Sequence, residues 1–169
     1  MAHDACVPGN LKPALLPLRD MRDLLRWYRV NLCEADIRDP RGHRVRFLPE
    51  NFVHLIKLTT KHGKEPKNAS IALEEIERGR IRLVAGRFDI QRASELSWIR
   101  PLATNPWRIV ANWQALGRGD EAYIRNFGTA EAPIYRVLVC EVLGTMRQAV
   151  TVFPRERIGD RKFGRVLWL

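Results

Sequence analysis

Leu18, Met21, Leu24, Leu25, Tyr28 and Leu32 recur at three- and four-residue intervals with arginines between them, and this period predicts an amphipathic helix over Pro17 to Leu32. Asp39-Pro40-Arg41-Gly42 then has turn chemistry, and His43 to Leu48 alternates Val45 and Phe47 with basic residues, as in a short strand or hairpin. Pro49 suits the first turn of a helix, which Phe52, Val53, Leu55, Ile56 and Leu58 carry to about His62, with Gly63 as terminator. A further helix is expected in "PKNASIALEEIERGR", capped by Asn68 or Ser70 and ended by Gly79. "IRLVAGRFDI" fits strand or loop, and "QRASELSWIRPLATNP" predicts one or two helical turns broken by Pro101 and Pro106.

From Trp107 the pattern changes to β-rich runs, "WRIVANW", "EAYIRNF", "IYRVLVCEVL" and "QAVTVFP", separated by turn-forming stretches. Helices first and strands second predict an α+β fold, with N-terminal helices packed on a four-stranded antiparallel meander. The expected division is an N-terminal extension with its amphipathic helix over 1–38 and an α+β domain over 39–169. The closing "DRKFGRVLWL" ends in an apolar tail that calls for burial, on the N-terminal helix or against another chain.

At 169 residues the chain has the length of one core. Its longest apolar runs fall short of the ~20 residues of a membrane-spanning helix, and "MAHDACVPGNLKP" does not read as a secretory signal, so a cytoplasmic protein is expected. Cys6, Cys33 and Cys140 lie far apart without C-x-x-C spacing, which argues against a zinc site or a disulfide framework. Charge changes the picture more. Against 19 acids stand 29 lysines and arginines, a formal net charge of +10, and a polyanion such as nucleic acid is the natural partner.

Candidate chemistry centres on "ENFVHLIKLTTKHGK". On a continuous helix His54, Lys57 and Lys61 would share one side while the apolar residues turn to another; a solvated basic face with an incidental histidine would give the same spacing. Strand alternation sets Tyr123, Arg125 and Phe127 on one face, leaving open whether that face is core or an aromatic-basic surface. Arg100 precedes Pro101 and serves either a ligand or a helix end. His62 sits at the expected helix end, and His43 lies in a basic turn. Dinucleotide-binding, P-loop, nucleophile-elbow and H-E-x-x-H signatures are all missing from the sequence.

A helix of the type "F-x-H-h-x-K", then "WIRPLATNP", "YIRNF", "YRVLVCEV" and "AVTVFP", in that order over roughly Arg44 to Pro154, resembles the phage-associated branch of the barnase, EndoU, colicin and RelE group of small RNA endonucleases. The resemblance implies metal-independent cleavage of RNA, in which the ribose 2′-hydroxyl attacks the adjacent phosphate and leaves a cyclic phosphate; no cofactor is implied. It assigns acid/base work to His54, phosphate contacts to Lys57 or Lys61, a phosphate hydrogen bond to Thr151 and base stacking to Phe153; His54, Lys57, Arg125 and Thr151 are the expected catalytic residues, and Lys61, Arg100, Tyr123 and Phe153 the expected RNA contacts. It also implies a toxin-like protein with an acidic antitoxin or immunity partner. The sequence offers no obvious carboxylate beside His54. Two other readings remain: a basic nucleic-acid-binding module without catalysis, and a phage accessory or structural protein.

Overall fold

A computed structural model of the chain describes residues 21–60, 62–80, 90–112, 120–155 and 163–169. The predicted N-terminal stripe forms α1 (Met21–Tyr28), which buries Met21, Leu24, Leu25 and Tyr28. Its chain continues as a π-helical turn over Arg29–Cys33 that brings Leu32 inward. Tyr28 finds a partner for its buried hydroxyl by donating to the Leu48 carbonyl at 2.7 Å, and its ring lies 5.3 Å from that of Phe52. α1 is therefore built into the same core as the rest of the fold.

Pro49 opens a 3₁₀ turn (Pro49–Asn51) that leads into α2 (Phe52–Leu55). The expected helix to His62 is corrected here: α2 is a single turn. Lys57 takes a left-handed conformation at φ 50°, Leu58 N–H donates to Val53 O at 3.0 Å and Lys57 N–H to His54 O at 3.1 Å. Those two bonds form a Schellman stop, which turns Leu58 back into the core, where it is 2% exposed. His54 and Lys57 consequently do not share a helical face, and Lys61 lies outside the described residues.

α3 (Ala69–Glu77) starts where expected, with the Asn68 side chain accepting from Ile71 N–H at 3.2 Å. "IRLVAGRFDI" falls mostly outside the described residues. After it come α4 (Ile90–Ser94) and α5 (Leu96–Thr104). Pro101 sits inside α5 rather than breaking it: Leu96, Trp98, Ile99, Leu102 and Ala103 are all buried along one helix, and this burial outweighs the missing amide hydrogen bond.

The strands are β1 (Arg44–Arg46), β2 (Arg108–Asn112), β3 (Asp120–Asn126), β4 (Tyr135–Leu143), β5 (Met146–Arg155) and β6 (Phe163–Trp168). They form one six-stranded sheet in the order β1-β5-β4-β3-β2-β6. The expectation of a four-stranded antiparallel meander is thus corrected to a larger, mixed sheet. β2 to β5 do run antiparallel in succession, but β1 pairs parallel with β5 at one edge, and the apolar C-terminal tail pairs as β6 with β2 at the other. The α+β class holds. A bulge between Val139 and Cys140 sets the register of β5.

The two sheet faces differ. Ile109, Tyr123, Phe127, Leu138, Cys140 and Ala149 join the helices in the main core. Val110, Ala122, Ile124, Val137 and Val139 form a second buried cluster on the opposite face, with Phe153 against it, and no residue of a described helix belongs to that cluster. No described helix is long and apolar enough to cross a membrane.

Candidate functional site

The Schellman stop after α2 does more than end a helix. Thr60 N–H donates to Lys64 O and Gly63 N–H to Thr60 O, with Gly63 at φ 72°, so the chain folds back on itself. This reversal brings Glu65 to His54. The Glu65 carboxylate lies 3.1 Å and 3.3 Å from His54 Nδ1. An ionised carboxylate can only accept, so Nδ1 donates, and in the neutral imidazole this leaves the lone pair on Nε2. Both side chains are open to solvent, at 42% and 52% exposure. Sequence reasoning missed Glu65 because the pairing depends on a turn; the Gly63 terminator was the one available signal.

Lys57, His62, Lys64 and Lys67 are exposed on the same segment, which makes it strongly basic around the single carboxylate. Beside it a pocket of about 310 Å³ is lined by Leu58, Thr59, Thr60, Pro66, Ile71 and Ala72.

The other predicted residues lie elsewhere. Tyr123 is fully buried and donates to Asp39 Oδ2 at 2.7 Å. It belongs to an internal charge network: Arg41 donates to Asp39 Oδ2 at 2.8 Å and to Glu121 Oε1 at 3.1 Å, and Arg147 donates to Glu121 Oε2 at 2.9 Å. Burial works against both carboxylates, but the Arg41 and Arg147 donors hold Glu121 below its ordinary range, and Tyr123 and Arg41 do the same for Asp39. Burial pushes the Tyr123 hydroxyl up, so it stays protonated as a donor. The network is balanced, two cations for two anions, and every member is hydrogen-bonded.

Arg125 is also inside, 9% exposed. Its Nη1 donates to Asn105 O at 2.9 Å and its guanidinium lies 5.1 Å from the Phe127 ring centroid. Phe127 stacks on Trp98 at 4.7 Å and 5°, and Arg136, salt-bridged to Glu95, lies over Trp98 at 5.2 Å from the ring centroid. Desolvation lowers the Arg125 pKa below the usual arginine value. The face carrying Tyr123, Arg125 and Phe127 is therefore the one the helices cover.

Arg100 is exposed on α5. Thr151 and Phe153 are half-buried on β5, opposite Val139 and Val137, and so lie on the sheet face away from α2. The structure thus brings His54 together with Glu65 and a lysine-rich turn, and it does not bring His54 together with Arg125, Thr151, Tyr123 or Phe153. His43 Nδ1 lies 3.8 Å from Asp39 Oδ2, at the margin of the internal network. No group of three or more potential metal-ligating side chains occurs among the described residues. No family model, curated protein or solved structure matches the chain.

Proposed function

We propose that the protein is an RNA endonuclease that works by transesterification, with His54 as its proton-transfer group. The observation that carries this reading is the His54–Glu65 pair, a solvent-accessible histidine whose Nδ1 is held by a carboxylate while Nε2 has no partner among the described residues. Nε2 would take the proton of the ribose 2′-hydroxyl as that oxygen bonds to phosphorus; the bond to the 5′ oxygen then breaks, and that oxygen takes a proton from water. Lys57 and Lys64, exposed on the same segment, would offset the negative charge that builds on the phosphate. Arg125 and Tyr123 support the core behind the site without touching RNA.

The test is incubation of the purified protein with end-labelled RNA in excess chelator, followed by analysis of the product ends. The expected outcome is cyclic-phosphate termini from wild type, a loss of roughly 10²- to 10⁴-fold in His54→Ala, and a smaller loss with an altered pH profile in Glu65→Gln. RNA that stays bound and uncut would favour the second reading, a binding module without catalysis. That reading draws on the separation of Thr151, Phe153 and Arg100 from His54. An acidic inhibitor that covers the basic turn belongs to the nuclease reading, and its affinity should fall when Lys57, Lys64 and Lys67 are changed to glutamine.

A further inference from the structure

On the sheet face away from α2, side chains from separate strands gather at one end. Arg108 of β2 lies with its guanidinium 4.5 Å from the Trp107 ring centroid, and Trp107 is 6.4 Å from Tyr135 at the start of β4. Tyr135 is the register partner of Arg155 on β5, and Arg155 lies 4.8 Å from the ring of Phe153. Three aromatic rings and two guanidiniums therefore occupy one corner of the sheet.

The arginines set this corner apart. Arg41, Arg136 and Arg147 each have a carboxylate partner, whereas Arg108 and Arg155 make no ion pair among the described residues. Their Nε atoms are buried without a hydrogen-bond partner among the described residues, an arrangement that normally costs about 1–3 kcal/mol and that calls for an explanation in a folded protein. Each of the two cations lies over a ring, in partial contact with solvent. Trp107, at 48% exposure, is among the most exposed large apolar side chains described.

We propose that this corner is a binding site for single-stranded nucleic acid, separate from the His54 turn. Unpaired bases stack on aromatic rings and on guanidinium planes alike, and the unmatched arginine donors would take phosphate oxygens. A duplex keeps its base faces internal and offers these rings little; an acidic peptide would satisfy the arginines but leave Trp107 without a stacking partner. The net charge of +10 favours a polyanion here as well. The site rests on stacking and charge and stands whether or not His54 cleaves RNA.

The experiment is titration with an oligodeoxythymidylate of about ten nucleotides, which lacks the 2′-hydroxyl and cannot be cut by the proposed chemistry, read by tryptophan fluorescence and by anisotropy of a labelled strand. Wild type should bind this strand. Trp107→Ala should bind roughly 5- to 150-fold more weakly, in line with the loss of one stacking platform, and Trp107→Phe should recover much of the difference. The double variant Arg108→Gln, Arg155→Gln should reduce the slope of log affinity against log salt by about 1.4, at about 0.7 per phosphate contact. Thermal melts of each variant separate lost binding from lost folding. The proposal is overturned if folded Trp107→Ala and the double arginine variant bind like wild type, if wild type does not bind the strand, if a duplex of the same length binds as tightly, or if polyglutamate competes as well as the oligonucleotide does.

Discussion

Glu121 holds two arginines at once. Its carboxylate receives Arg41 and Arg147 in a nearly dry setting, with 8% of its side chain exposed. Replacement by Gln keeps the shape but leaves two buried guanidiniums facing a neutral amide, and a broken buried pair costs roughly 3–5 kcal/mol. Because the folded pKa of Glu121 is depressed, its contribution is complete above the ordinary value of 4.5 and is lost as pH falls through the lower folded value; Asp39 adds in the same direction. Urea midpoints measured from about pH 7 to about pH 3 should fall steeply below about pH 4.5 in wild type. In Glu121→Gln the midpoint should start lower and fall less. Little of this network was legible in the sequence, since Asp39 and Arg41 read as turn residues and Glu121 lies 80 positions from Arg41. Alternation did place Tyr123, Arg125 and Phe127 on one face, but a period of two cannot tell which face the helices will cover.

α2 illustrates how an element can be half legible. The apolar positions Phe52, Val53, Leu55, Ile56 and Leu58 all turned out buried, yet a single helical turn closed by a Schellman stop buries them as well as a three-turn helix would. The stop was hidden because Lys57 occupies a position that glycine usually fills, at φ 50°. A left-handed conformation costs an L-residue about 1–2 kcal/mol. Lys57→Gly should therefore stabilise the protein by up to about 1 kcal/mol once the extra freedom of glycine in the unfolded chain is counted, seen as a higher denaturation midpoint with no change in m-value. Equilibrium urea unfolding measures this directly, and any loss of RNA cleavage in the same variant would report the lost amine. β2 to β5 were easier to read, because each alternates over a half-buried or fully buried run. β1 was visible as a strand, but with three residues it gave no hint of a parallel partner, and the aromatic-arginine corner was invisible because Trp107, Arg108, Tyr135, Phe153 and Arg155 come together only across the sheet.

The whole molecule is closed by its least local pairing. Val45 of β1 is opposite Arg147 of β5, about 100 residues later in the chain, whereas β2 to β5 are joined in sequence. Loop closure over that span is entropically unfavourable until the central strands exist, so β1 should dock after the transition state for folding. Val45→Ala should destabilise the protein by about 2 kcal/mol, on the scale of other core truncations, and stopped-flow traces should place the change in the unfolding limb with the folding limb unmoved. On a ribosome the same geometry imposes an order on synthesis. The segment from Ile37 to Phe47, made early, meets Glu121 only once β3 is made and its sheet partner only after β5 has left the exit tunnel, so a nascent chain holds that apolar, charged strip exposed for most of its elongation. A message truncated before the β5 codons would yield a product that cannot bury it, and protein quality control would have a ready means of recognising the fragment.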